Sequence, residues 1–263
     1  MATFKSSLKI TYIGTATVIL DIDGVKLITD PVFSQAGSEW DKGIAILRTS
    51  ISPALQLQDL PALDAVLLSH EDHEDNLDEL GRQLLDGRKV LTTVDGANKL
   101  APRPDVRGLK PWETVDLNVG GKSFQVTATP CVHLPGGECT GFVLTNAEFG
   151  ETNGLPNAIY ISGDTIYIDD LARLKEKFNI SVAILNLGAA SVPVSDPPLV
   201  ITMDGKQAAQ LIREIEPDIV VPLHFEGWDH FAQGREEVLE VFKREGIESK
   251  VQWLPRGVAT NIV

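Results

Sequence analysis

"LLSHEDHEDNLD", residues Leu67 to Asp78, passes from two apolar residues into two histidines, five acids and an asparagine. With the residues before it, "DAVLLSH" reads as a short buried strand, because the run is apolar, brief and bounded by polar residues. The acids therefore gather where a buried strand ends. Carboxylates packed there repel one another and lose solvation. A divalent cation offsets both costs, and neutral imidazoles with carboxylates are donors suited to zinc, iron or manganese. Taken alone, the run also reads as a solvated loop or a helix N-terminus, where acids suit the helix dipole.

The remaining histidines sharpen the choice. The chain has five: His70, His73, His133, His224 and His230. His70 and His73 follow "AVLLS", His133 follows "FQVTATPCV", and His224 closes "IVVPLH"; Asp164 follows "IYISG" in the same way. A single histidine after a strand is ordinarily a hydrogen-bonded structural residue. Four at strand ends, with an aspartate, point instead to loops converging on one sheet rim, where sites are commonly assembled. No sulfur donor is required, so Cys131 and Cys139 are bystanders.

Around these positions the chain alternates strand and helix signals. "LKITYIG", "TVILDID" and "VKLITDPVF" are β-branched runs broken at Gly14 and Asp23-Gly24, and the second break suits a hairpin. "KVLTTV", "ETVDLNV", "KSFQVTATP", "TGFVLTN", "NAIYIS", "ISVAILNLG", "DIVVPLHF" and "KVQWLP" read as further strands, with Gly120-Gly121 as a turn. Apolar spacing predicts helices over "LDELGRQLLDG", "YIDDLARLKEKF", "DGKQAAQLIREI" and "REEVLEVFKREG". Residues 34–61 have weak periodicity and read as a long surface loop of the kind that shapes binding sites. The pattern predicts two sheets packed face to face with helices outside, as one α/β domain over residues 1–263.

Composition bounds the function. Hydrophobic residues make up 43% of the 263, enough for a sizeable core, and the formal net charge is −14. Such a balance argues against nucleic acid or an anionic membrane as partner, since phosphates would be repelled; it decides nothing about small molecules, since a metal can reverse the local field, and a small-molecule substrate is the partner expected. The N-terminal stretch lacks the apolar region of a secretion signal, and no run reaches the roughly 20 residues that span a bilayer. The expectation is a cytoplasmic protein with free thiols. "GGECTG" lacks the Lys-Ser/Thr of a phosphate-binding loop, and no Gly-x-Ser-x-Gly elbow supports a serine hydrolase.

The chain resembles the metallo-β-lactamase-fold hydrolases. It is most similar to the branch holding L-ascorbate-6-phosphate lactonase, N-acylphosphatidylethanolamine phospholipase D and uncharacterised hydrolases. The resemblance runs through "ITYIGTATVILDIDGVKLITDPVF", "LLSHEDHEDNLD", "VTATPCVH", "GFVLT", "YISGDT", "LNLGAA" and "VPLHFEGWDHF". It implies an αββα four-layer sandwich with metals at one rim. It also implies hydrolysis of a small ester, lactone, lactam or phosphodiester on one or two divalent ions, zinc first, with manganese or iron as alternatives.

By this resemblance His70, His73 and His133 hold one metal, Asp75, Asp164 and His224 a second, and Asp75 also handles the attacking water. The match departs from the family's His-x-His-x-Asp-His. Anchored on "LLSH", Asp72 falls where the second histidine belongs; anchored on "DNLD", His73 does. Asn76 replaces the last histidine as a weaker donor, and Thr15 stands where the family has histidine. An iron-dependent oxidoreductase or lyase, or a binding protein poor in metal, are the alternatives. Asp30 could support the ligands from behind. His230 could bind substrate, and Trp40 and Trp228 could line an apolar pocket.

Overall fold

Two turns set the hairpins of the structure, a computed structural model that describes residues 4–43, 46–134 and 137–263. At Asp23-Gly24 (φ +49° and +93°) and at Gly120-Gly121 (φ +56° and +76°) both central residues are left-handed, the two-residue geometry that matches strand twist. They join Thr17–Ile22 to Val25–Thr29 and Thr114–Val119 to Lys122–Pro130.

The first sheet runs in the order Thr260–Asn261, Leu8–Gly14, Thr17–Ile22, Val25–Thr29, Ala65–Leu67, Lys89–Thr93 and Val106–Leu109. The second runs Ile219–Leu223, Asn179–Asn186, Leu155–Ile161, Thr140–Thr145, Lys122–Pro130 and Thr114–Val119. Between them lies a core drawn from both inner faces, including Ile10, Val18, Leu20, Phe124, Val126, Phe142, Ile159 and Val221. The outer face of the second sheet is covered by helices Gly205–Ile215 and Arg235–Arg244, through Ala208, Leu211, Ile212, Val238 and Phe242. The outer face of the first packs Ile28, Val66 and Val90 against Leu77, Leu84, Leu85 and Leu100. This is the αββα order expected from the sequence.

Strand direction assembles one rim. Leu8–Gly14, Val25–Thr29 and Ala65–Leu67 run the same way, because antiparallel partners alternate and Val25–Thr29 pairs parallel with Ala65–Leu67. In the second sheet Lys122–Pro130, Leu155–Ile161, Asn179–Asn186 and Ile219–Leu223 share a direction for the same reason. The residues following these strand ends are Thr15, Asp30, His70, His133, Asp164 and His224.

Several expectations are corrected. Residues 77–87 form turns and one short 3-10 run, Gly81–Leu85, rather than a helix. The Asp78 carboxylate accepts the backbone N–H groups of Gly81, Phe33 and Ser34, diverting donors a helix would need. Gly81 also presses on the Pro31 carbonyl, where a Cβ would stand 1.7 Å from the oxygen. The helix expected over 167–178 is a 3-10 turn, Asp169–Arg173, leading into one α turn, Leu174–Lys177.

"KVQWLP" makes a single bridge, Val251 to Val220, not a strand, and Trp253 turns to pack edge-on against Phe225. A helix, Val94–Leu100, follows "KVLTT", capped by the Thr93 hydroxyl accepting from Gly96 N–H at 2.9 Å. The segment 34–61 carries a small hairpin, Glu39–Asp41 with Ile46–Arg48, and a 3-10 turn at Leu57–Asp59. Residues 44 and 45 of that segment, 1–3 of the N-terminus and Gly136 of "GGECTG" lie outside the described residues.

Candidate metal centre

Three imidazoles converge at the rim. His70 Nε2 lies 3.0 Å from His73 Nδ1, and His133 Nε2 lies 3.2 Å from the same nitrogen. The rings stand edge to face, with centroids 4.9 to 5.1 Å apart. His133 donates Nδ1–H to the Ile201 carbonyl at 2.7 Å, which leaves its Nε2 as a lone pair aimed inward. Ser69 Oγ lies 2.8 Å from His70 Nδ1 and fixes that ring from behind. Burial, reinforced by the other two rings, pushes the His70 imidazole well below its usual range, and burial lowers His133 as well. Neutral nitrogens facing one point are a cation's donor set.

Beside them Asp75, Asp164 and His224 form a second, fully buried group. His224 Nε2 is 3.4 Å from Asp75 Oδ2 and 3.3 Å from Asp164 Oδ2. Asn186 donates to the other Asp164 oxygen at 2.7 Å. Burial opposes ionisation of His224, yet the Asp164 and Asp75 carboxylates outweigh it and push the imidazole up to about 9. Burial likewise opposes the Asp75 anion, but hydrogen bonds from His224 and His230 hold it well below the usual carboxylate range. Two inward carboxylates thus meet positive charge from whatever can carry it.

Spacing tests the fit. Zinc bonds N and O donors at about 2.0–2.2 Å, which places neighbouring donors ~3.0 Å apart at right angles and ~3.4 Å apart at tetrahedral angles. The donors measured from His73 in the first group and from His224 in the second lie 3.0 to 3.4 Å away. The residues present therefore fit a cation at either position, and within each group the donor atoms lie within 4.8 Å of one another.

The backbone is bent to aim these side chains. His224 is left-handed at φ +58°, a conformation costing on the order of 1–3 kcal/mol for a residue of its size. Its N–H donates to the carbonyl of Thr15, itself left-handed at φ +52°. Gly163, at φ +60°, lets the chain turn into Asp164, and a Cβ there would meet the Thr140 carbonyl at 2.5 Å.

The acids of the opening motif have separate destinations. Glu71 pairs with Lys99 at 3.0 Å, Glu74 with Lys42 at 2.7 Å, and Asp78 takes backbone donors. Asp72 is one-third exposed and sits 3.8 Å from Lys99, outside both donor groups. Of the five acids, Asp75 alone falls in a donor group. The crowding of acids therefore does not in itself call for a cation; the imidazoles and the Asp75–Asp164 pair are the groups that could hold one. His73, not Asp72, stands beside His70 and His133.

Supporting positions are mixed. Asp30 is buried and accepts the Ser69 N–H at 2.6 Å, one residue from His70; burial raises its carboxyl to about 8. Trp228 and Trp40 stack on each other at 5.4 Å and do not line the cleft; Trp228 donates to Thr15 Oγ1 at 2.8 Å. His230 Nε2 lies 3.1 Å from Asp75 Oδ2. Sequence reasoning passed over Asn186, although "ILN" ends a strand at the same rim. Ile201, whose carbonyl orients His133, had no signal in sequence, since it acts through its backbone.

His73, His133, Asp75 and His224, with His230 and Asp72, line a cleft of about 240 Å³ that Lys42, Leu47, Leu134, Ala190, Val192 and Ile201 also line. Among the described residues, no helix is long and apolar enough to cross a membrane.

Residues 26–225 match the family described as the beta-lactamase superfamily domain. The chain belongs to that family. A metal-dependent hydrolase of Methanosarcina mazei is 26% identical over 258 residues, covering 94% of this chain and 93% of that protein. One of Pyrobaculum arsenaticum is 25% identical over 236 residues, covering 88% and 89%. Among solved structures, the isothiocyanate hydrolase from Delia radicum gut bacteria superposes with a TM-score of 0.79 at 23% identity, covering 97% of this chain and 99% of that one. The metallo hydrolase Igni18 of Ignicoccus hospitalis gives 0.73 at 22%, covering 98% and 99%. These structures share the αββα fold of the chain.

Proposed function

We propose that this protein is a metal-dependent hydrolase that activates water at the rim of the sandwich to cleave a small ester, lactone, lactam or phosphodiester. The observation carrying this reading is the pair of donor groups, His70, His73, His133 and Asp75, Asp164, His224, with donors 3.0 to 3.2 Å from His73 and 3.3 to 3.4 Å from His224, beside one cleft that His73, His133, Asp75 and His224 line. The family membership and the metal-dependent hydrolases among the relatives support it.

When bound, a divalent cation would lower the pKa of water from about 15.7 toward about 7 and polarise the substrate oxygen. Zinc suits the nitrogen-rich first group, and manganese or iron would suit the carboxylate-bearing second. Asp75, held ionised by His224 and His230, would orient the attacking water. Asp164 holds the two donor sets in register, its outer oxygen fixed by Asn186. The apolar walls exclude bulk water and seat the body of a small substrate. Two free thiols, Cys131 and Cys139, suit a reducing compartment such as the cytoplasm.

The test is elemental analysis of purified protein followed by a hydrolysis panel of lactones, lactams, thioesters, phosphodiesters and an isothiocyanate. Zinc or manganese with turnover that a chelator abolishes and the metal restores is the expected result. Metal-free protein with unchanged turnover refutes the reading; iron with no turnover on any member transfers it to oxidative chemistry.

A further inference from the structure

Cys131 and Cys139 stand outside both donor groups, yet the second sheet brings them together. Strands Lys122–Pro130 and Thr140–Thr145 pair antiparallel, and the ladder ends with Pro130 opposite Thr140. One step further on each side are Cys131 and Cys139. Directly opposed residues of such a pair stand about 4.5–5.5 Å apart at Cα, inside the ~4.4–6.8 Å that a disulfide spans. Both cysteines line one pocket of about 230 Å³, together with Thr93, Lys110 and Glu138, and it shares no lining residue with the metal cleft. Each is only partly buried, so a small solute can reach it. Burial first, and then the adjoining Cys131 thiol, hold the Cys139 thiol well above its usual range, which agrees with the two sulfurs being neighbours.

We propose that Cys131 and Cys139 form a reversible disulfide that closes the loop bearing His133, with a small peroxide as oxidant. His133 lies two residues past Cys131, inside the segment 131–139 that the bond would close. The thiols also sit behind the site. Cys139 Sγ is 3.6 Å from His70 Nδ1, and Cys131 Sγ is 3.4 Å from the Ser162 carbonyl, two residues before Asp164.

One sulfur attacks the peroxide, breaks its O–O bond and becomes a sulfenic acid as the first water leaves. The second thiol then displaces the sulfenic oxygen as another water and forms the S–S bond. In sum two thiols lose two electrons and two protons, and one peroxide is reduced to two waters. A dithiol reductant reverses the bond by exchange. A thiol with no partner would climb instead to sulfinic acid, which is irreversible. In a reducing compartment the dithiol is the resting form. Closing this short loop removes chain entropy from the unfolded state and, in a chain of this size, raises Tm by about 5–10 °C.

The competing account is a pair of thiols that only fill the pocket wall. The experiment treats wild-type, Cys131→Ser and Cys139→Ser proteins, as purified and metal-free, with a small molar excess of hydrogen peroxide under native conditions. Maleimide labelling after unfolding counts free thiols, intact mass reads the oxidation state, and thermal unfolding reads the cross-link.

Expected in wild-type are loss of both labelled thiols, a monomer lighter by two hydrogens, and a metal-free Tm raised by the amount above, all undone by dithiothreitol. Each serine variant adds oxygen instead and gains no such rise. Two thiols still labelled in wild-type overturn the proposal, as do oxygen addition in place of hydrogen loss and disulfides formed only between chains. A cross-link that forms only in urea, or that leaves Tm unchanged or lowered, overturns it too, because the native loop then does not accept the bond. None of these readouts depends on bound metal, so they stand apart from the hydrolase reading.

Discussion

Replacing His133 by alanine should uncouple metal holding from folding, and the structure gives a size for each. His133 supplies one of three nitrogens in the first group, at 3.2 Å from His73 Nδ1. Structural zinc sites are worth about 10–16 kcal/mol over four ligands, so one ligand carries roughly 2.5–4 kcal/mol, or 10²- to 10³-fold in Kd. The folding cost is much smaller. The substitution removes one hydrogen bond, to the Ile201 carbonyl, worth about 1 kcal/mol, which lowers Tm by ~2–4 °C in a chain of this size. The assay is competition with a chromophoric chelator for metal affinity, alongside thermal unfolding of the metal-free proteins. Affinity within about threefold of wild-type, with Tm lowered as stated, would mean that His133 is a structural residue and that the three imidazoles do not share a cation.

Other outcomes follow from the same geometry. His73→Asn should weaken metal binding far more than Asp72→Asn, because Asp72 lies outside both donor groups; the reverse order in the same titration would restore the strand-anchored alignment. Asp78→Ala strands three backbone N–H groups and the Ser34 hydroxyl and should cost about 3–5 kcal/mol in urea unfolding, where a loss under ~1 kcal/mol would contradict the anchoring role. Asp30→Asn should be milder than Asp30→Ala by about 1 kcal/mol or more, since a carboxyl raised to about 8 is already neutral at pH 7 and an amide oxygen still accepts the Ser69 N–H; equal losses would show the acceptor is not needed.

Metal-free protein should lose stability as pH rises from about 6.5 to 9. The folded pKa of His224 lies above its unfolded value, so its contribution, up to about 3 kcal/mol, is complete below that window and gone above it. Metal-loaded protein should lack this slope, because a ligating nitrogen holds no proton; matching slopes in denaturant titrations would count against His224 as a ligand.

How far the sequence revealed the site depends on which physical signal each residue left. Strand-end placement exposed His70, His133, Asp164 and His224, because apolar β-branched runs are legible and their ends are where polar residues can converge. The same signal was present at Asn186 and went unused, since an asparagine after a strand is ordinary. The helix expected over 77–87 was lost to tertiary hydrogen bonding: a carboxylate at 78 reaching backbone 45 residues away is invisible to local periodicity. The register of "HEDHED" was also undecidable locally. Choosing between Asp72 and His73 requires knowing which of the two side chains folding sets against His70 and His133, and Asp72 instead lies 3.8 Å from Lys99, on the helix that follows "KVLTT".

Two of the departures from the motif that the resemblance implies, Thr15 and Asn76, meet in one loop. Each is met from residues 226–231: Trp228 donates to Thr15, and His230 reaches Asp75 beside Asn76. A hydroxyl at 15 is small enough to accept an indole that a larger side chain would displace, and the indole in turn sets the loop that carries His230. On this argument the two substitutions are coupled through the loop rather than independent losses. Thr15→Val removes the acceptor at nearly constant volume and should therefore weaken the second cation specifically, leaving the first site within about threefold. Equal weakening at both sites, or at neither, in a two-equivalent titration would break the coupling and leave Thr15 as a packing residue of the wall.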